Sequence, residues 1–146
     1  KVKRNIPTIL DYRNHIKEAS MLNTPPVFAV YVAMLTLRWL KNKGGVSVIE
    51  KENNAKAKLF YDTLDSLPVF VAPVAKEDRS KMNAVFVMKD PALEASFLEI
   101  CKREGMIGIK GHRSVGGFRI SMYNALTIDS VKAITDLMKA FANKKG

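Results

Sequence analysis

Phe118, Ile120 and Met122 alternate with Arg119, Ser121 and Tyr123. Successive side chains of a strand point to opposite faces, so this run describes a strand with one apolar and one polar face. Such a strand has to be covered on one side only, and the rest of the chain must supply that layer. Asn83 to Met88, rich in Val and Phe, reads as a second strand, and Val69-Phe70-Val71 as a short third. Met106 to Ile109 is a further short strand candidate ahead of a glycine-rich turn.

Helical spacing accounts for most of the remainder. Asn23-Thr24-Pro25-Pro26 marks a helix start, since Asn and Thr suit the cap and proline suits a first turn whose N–H has no partner. Val27, Val30, Tyr31, Met34 and Leu35 follow at helical spacing, then Trp39, with Lys41 and Lys43 near the end and Gly44-Gly45 as the stop. Ser47 with Glu50 predicts a capping box for a second helix reaching about Asp65. Asp90-Pro91 opens a third that runs to Glu104 and stops at Gly105. A last helix runs from about Ile128 to Asn143, with Val131, Ile134, Leu137, Met138 and Phe141 on its buried side. Residues 1–22 read as an irregular or helical lead-in. The order of elements predicts an α+β fold, a small sheet with helices packed on one face.

With 146 residues, 47% of them apolar, the chain is long enough for one compact domain with a real core. Its single cysteine, Cys101, excludes an internal disulfide and reads as a buried structural thiol. One Cys and two His leave no basis for a zinc site, and no metal is expected. The net charge of +10 is spread along the chain as ordinary surface lysine. The longest apolar run, Pro25 to Leu37, leads into Arg38 and Lys41 and is too short to span a bilayer. With no signal peptide evident, a cytoplasmic location and no membrane partner are expected. The opening Lys1-Val2-Lys3-Arg4 lacks an initiator Met, which suggests a piece of something longer.

Charge becomes one-sided only after Glu104, for no acidic residue occurs before Asp129. Lys110, His112, Arg113 and Arg119 lie there, around Gly111, Gly116 and Gly117. Arginine offers a planar fork of donors matched to carboxylate and phosphate, and glycines let backbone N–H groups approach an anion. Arg119, on the polar face of its strand, reads as a bidentate carboxylate clamp or as a solvated sheet-edge arginine. His112-Arg113 reads as a phosphate dianion site or as a surface turn. Lys110 is the weaker candidate. Asn23 and Thr24, at a helix start, form a second candidate anion site or simply a cap. Arg79-Ser80 is a lesser anion candidate, and His15 is left unassigned, a structural role being favoured over a catalytic one. There is no Ser/His/Asp arrangement, no paired-carboxylate pattern and no P-loop. By themselves the residues describe a small-anion-binding domain without a nucleophile of its own.

Ser20-Met21-Leu22-Asn23-Thr24-Pro25-Pro26, Trp39-Leu40 followed by Gly44-Gly45, Glu50-Lys51-Glu52-Asn53, Arg79-Ser80-Lys81-Met82-Asn83, and Lys110 through Gly117 to Tyr123-Asn124-Ala125 add a further signal. In order and spacing they resemble the C-terminal part of the phosphoserine aminotransferase family, from about Ile6 onward. Leu22 departs from the family's usual Tyr and Thr127 from its usual Pro. The resemblance implies the small domain of a fold-type I aminotransferase, in a homodimer that uses pyridoxal 5'-phosphate (PLP) and shares its site between subunits. It implies amino-group exchange in serine biosynthesis between phosphoserine and glutamate, with 3-phosphohydroxypyruvate and 2-oxoglutarate as keto partners. It further implies that Asn23 and Thr24 bind the cofactor phosphate. His112 and Arg113 would hold the substrate phosphate or the glutamate side-chain carboxylate, and Arg119 the α-carboxylate. Residues 1–24 would then lead in from a large PLP-binding domain and residues 25–146 form the small domain. The family's Schiff-base lysine would lie ahead of Lys1, so no catalytic residue is expected here and the isolated chain is expected to be inactive. Two rivals are the small domain of another PLP aminotransferase and a basic α+β RNA-binding module suggested by Gly116-Gly117-Phe118-Arg119-Ile120. That strand lacks the paired aromatics that stack bases, so no nucleic-acid partner is expected.

Overall fold

A computed structural model describes residues 5–113 and 116–145, the side chain of Lys145 excepted. Ser114 and Val115 of the glycine-rich stretch, and the opening Lys1 to Arg4, lie outside the described residues. The chain forms two compact units that divide between Asn42 and Lys43.

The first unit holds a 3-10 turn, Thr8–Leu10, and helices α1 (Tyr12–Lys17) and α2 (Val27–Asn42). Asp11 caps α1 by accepting from the Arg13 backbone N–H at 3.0 Å, and the Arg13 guanidinium closes on the same carboxylate. That pairing holds the Asp11 carboxyl below the usual carboxylate range. His15 Nε2 lies 2.7 Å from the Ile9 carbonyl and Asn14 donates to the Thr8 carbonyl. His15 thus ties turn to helix. The first described helical bond of α2 runs from Val30 N–H to the Pro26 carbonyl. Asn23 and Thr24 therefore precede the cap position instead of occupying it. No residue of α2 is buried, and Phe28 is 80% exposed.

The second unit begins with α3 (Val46–Ser66). Its cap is Gly45, at φ 80°, with no side-chain hydrogen bond. The predicted Ser47–Glu50 box is not formed: the helix starts at Val46, which puts the Ser47 hydroxyl already inside the first turn. Strands β1 (Phe70–Val71), β2 (Asn83–Met88) and β3 (Phe118–Ser121) form one antiparallel sheet in the order β1-β2-β3. Phe70 pairs with Met88, Val85 with Arg119 and Asn83 with Ser121. Between β2 and β3, Asp90 accepts from Ala92 N–H at 3.0 Å, and a 3-10 turn leads into α4 (Glu94–Arg103). The chain continues through α5 (Ile128–Lys145). Met106 to Ile109 forms no strand; Gly105 and Gly108 both take positive φ there, and only Lys110 bridges to Phe118.

Alternation on the sheet is as the sequence requires: Phe118 and Ile120 are buried, Arg119 and Ser121 exposed. The buried face meets α3, α4 and α5 in one apolar cluster. Phe97 sits at its centre, its ring 5.1–6.4 Å from those of Phe70, Phe86, Phe118 and Phe141. The fold is therefore α+β with its helices on one face. The opposite sheet face, with Arg119, is left for other work. No helix among the described residues is long and apolar enough to cross a membrane.

Candidate functional site

Arg119 stands at the base of a closed loop. Its backbone N–H donates to the Ile109 carbonyl at 2.8 Å, and Gly111 N–H donates to the Gly117 carbonyl at 2.8 Å. Gly116 N–H then returns to the His112 carbonyl at 2.8 Å. The backbones come too close for side chains at two points. A Cβ on Gly111 would meet the Gly116 oxygen at 2.1 Å, and one on Gly117, at φ 61°, would meet the Phe86 oxygen at 2.7 Å. Glycine is thus what allows the segments before and after the loop to pair. His112 and Arg113 are exposed near the loop's turn, and Arg119 is exposed on its return arm. One backbone device presents all three side chains.

Arg119 and Ser121 line a groove of about 570 Å³ together with Ile109, Leu126 and Ser130. Ser121 is already engaged: its hydroxyl donates to Asn83 Oδ1 at 3.0 Å, while Asn83 Nδ2 donates to the Tyr123 hydroxyl at 2.9 Å. Glu104, also on the groove, faces Arg103 at 3.5 Å. No described carboxylate pairs with Arg119. Its five donors remain available to a ligand, which suits a carboxylate.

Arg79 does not behave as an anion contact. It grips Asp65 with two bonds of 2.9 Å and lies 4.9 Å from the Tyr61 ring centroid. Ser80 Oγ accepts from Met82 and Asn83 N–H groups. Both residues secure the approach to β2. Arg79 holds the Asp65 carboxyl below the usual carboxylate range. Cys101 is buried against the core, and burial pushes its thiol up to about 11, as befits an inert structural thiol. Among the described residues no group of His, Cys, Asp or Glu could hold a metal. Asn23 and Thr24 are exposed in the first unit.

The sequence reading missed Lys56. Its side chain is buried, and its Nζ donates to the carbonyls of Met122, Tyr123 and Leu126 at 3.1, 2.8 and 3.0 Å. Asn53, also buried, donates to Asn124 Oδ1 at 2.9 Å. The available signal was phase: Ile49, Asn53, Lys56, Phe60 and Thr63 follow one helical stripe, which places a lysine on an otherwise inward face.

The sequence pattern of the family described as Aminotransferase class-V matches residues 6–134. The chain belongs to that family. Curated relatives of this class-V aminotransferase chain include the phosphoserine aminotransferase of Porphyromonas gingivalis, 55% identical over 145 residues. That of Flavobacterium johnsoniae is 52% identical over 141. The matches cover 98% and 97% of this chain and 40% of each relative, so the chain spans about two-fifths of their length. Among solved structures, the phosphoserine aminotransferase of Bacillus circulans subsp. alkalophilus superposes with a TM-score of 0.87 at 37% identity. It covers 97% of this chain and 39% of that one. A PLP-bound phosphoserine aminotransferase from Trichomonas vaginalis gives 0.80 at 40% identity, covering 95% and 40%. The class-V aminotransferase chain thus has the fold of the corresponding part of phosphoserine aminotransferases.

Proposed function

We propose that this chain is the C-terminal, substrate-orienting part of a phosphoserine aminotransferase. The enzyme would exchange an amino group between phosphoserine and glutamate through 3-phosphohydroxypyruvate and 2-oxoglutarate, in serine biosynthesis in the cytoplasm. The observation that carries the reading is Arg119, an exposed arginine lining a groove, with no carboxylate partner among the described residues. Relatives at 50–55% identity that bear this name support it.

Arg119 takes the α-carboxylate through its planar fork, which fixes the substrate's orientation about Cα. His112 and Arg113 take the far end. Phosphoserine presents a phosphate there and glutamate a carboxylate, and an exposed histidine–arginine pair on a glycine loop offers donors to either. The two substrates therefore share one α-carboxylate contact and differ at the other end.

The residues near α2 fit a cofactor phosphate. Pro25 and Pro26 carry no backbone N–H, so side chains beside them add to the few backbone donors left for an anion at this helix start. The Asn23 amide and Thr24 hydroxyl, both exposed, are such donors. When bound, PLP supplies the electron sink for amino-group exchange. Asn23 and Thr24 would hold its phosphate in the homodimer, across the subunit boundary. The family resemblance implies that the Schiff-base lysine would lie outside the part this chain spans, so none of its own lysines is assigned that role.

The test is the visible absorbance of the full-length protein loaded with PLP. Phosphoserine should discharge the yellow cofactor band, and 2-oxoglutarate should restore it. A band indifferent to phosphoserine would overturn the substrate assignment, and failure to bind PLP would overturn the aminotransferase reading.

A further inference from the structure

We propose that Lys56 is a positioning residue for the substrate clamp: from α3 its ammonium holds the turn that joins the strand bearing Arg119 to the helix walling the same groove. The inference rests on the reading of Arg119 as the carboxylate clamp.

The turn is Met122 to Thr127, between β3 and α5. Its backbone makes no sheet ladder beyond the Met122 N–H bond to the Met82 carbonyl at 2.7 Å. Three of its carbonyls, of Met122, Tyr123 and Leu126, converge on Lys56 Nζ. An ammonium has three N–H donors, and each finds one acceptor. Asn53, one helical turn earlier on α3, adds a second tether to Asn124. The turn is thus fastened to a helix about 70 residues away in sequence. The groove depends on it at both ends. Arg119 lies three residues before Met122, and Leu126, whose carbonyl accepts from Lys56, is itself part of the groove wall.

Stability alone is a poor explanation for an ammonium here. Lys56 is 1% exposed and has no carboxylate in contact; Glu52, one turn away, is bonded to Lys43. Desolvation depresses its affinity for a proton, which marks a real cost of burial. An apolar side chain would fill the same space without that cost, as buried charges elsewhere can often be replaced without loss. Only a multiple donor, however, can draw three carbonyls to one point and so fix the path of the turn. A clamp loosened by a fraction of an ångström orients its substrate less well.

The experiment uses the full-length PLP-loaded enzyme with four single variants, Lys56→Met, Lys56→Gln, Asn53→Ala and Arg119→Ala, and one double variant. Lys56→Met should raise the KM for phosphoserine and glutamate alike, by about tenfold, with kcat changed less than about twofold. Lys56→Gln, which keeps two donors, should fall between it and wild type. Asn53→Ala, which removes a tether and no charge, should raise both KM values by about two- to threefold. In the Lys56→Met/Arg119→Ala double variant the KM should match that of Arg119→Ala, because a clamp already removed cannot be misplaced. A purely structural lysine would lower the melting temperature and leave KM in the folded enzyme unchanged. That result overturns the proposal. Should Lys56→Met not fold, unchanged KM values in Lys56→Gln and Asn53→Ala overturn it equally. If Arg119→Ala itself leaves KM unmoved, the clamp reading fails; if it raises KM and the Lys56 variants do not, the positioning role alone fails.

Discussion

At the scale of single residues the sequence told which cations gather but not which are engaged. Arg79 and Arg119 both stand beside a serine, and only the structure separates them: the first is spent on Asp65, the second faces a groove. Arg119→Ala in the full-length enzyme should therefore weaken both substrates, by roughly 1.5–3 kcal/mol of charge-assisted hydrogen bonding, read from kcat/KM. Arg113→Ala should weaken phosphoserine and glutamate unequally, since the two differ at that end. Equal loss for both at Arg113, or none at Arg119, would break the assignment. The Arg79–Asp65 pair makes a different kind of prediction. Because the folded Asp65 titrates below its unfolded value, its contribution is present above about pH 4 and is lost as pH falls through the lower folded value. Asp65→Asn should cost about 1 kcal/mol or less near neutrality, the pair being partly exposed and screened by salt. In urea titrations its difference from wild type should shrink below about pH 4. A difference that grew on acidification would have the wrong sign for this pair.

Elements were more legible than their ends. Helical and alternating periods located the three strands and the long helices among the described residues, because one buried face leaves a clear repeat in the chain. Capping chemistry misled at two starts. Ser47 lies inside α3 because Gly45, free to take φ 80°, already turns the chain at the position before Val46. Asn23 and Thr24 stand ahead of α2 because Pro26 supplies the acceptor of its first described helical bond. The segment Met106 to Ile109 looked strand-like from composition, yet two glycines at positive φ keep it irregular. Lys56 escaped notice because lysine is taken as solvated by default, and three converging carbonyls 66 to 70 residues away leave no local trace. The glycine loop, by contrast, was readable, and its geometry yields a sharp expectation. Gly111→Ala forces a methyl onto the Gly116 carbonyl, so the loop must open and the Lys110–Phe118 bridge must break. Substrate binding through His112 and Arg113 should suffer while the α-helical circular dichroism is retained. An unchanged KM for phosphoserine would show that the loop's closure is irrelevant to the site.

Over the whole molecule, the second unit divides its labour between the two faces of one sheet. The buried face is a phenylalanine cluster that locks α3, α4 and α5 onto β2 and β3; the open face carries Arg119. These faces are coupled through the pleat, since Phe118 and Arg119 are neighbours on one strand and point opposite ways. The core therefore sets how steadily the clamp is held. Phe97 is the residue to test, because its ring is fully buried and meets four others, two of them on the strands β2 and β3. Phe97→Ala leaves a cavity that rigid neighbouring rings fill poorly, and should cost about 3–5 kcal/mol in urea denaturation of this chain. Phe97→Leu keeps most of the volume and should cost well under half of that. If Phe97→Ala cost less than about 1.5 kcal/mol, the sheet and helices would not share a single core centred on this ring, and the link between packing and clamp geometry would fall with it.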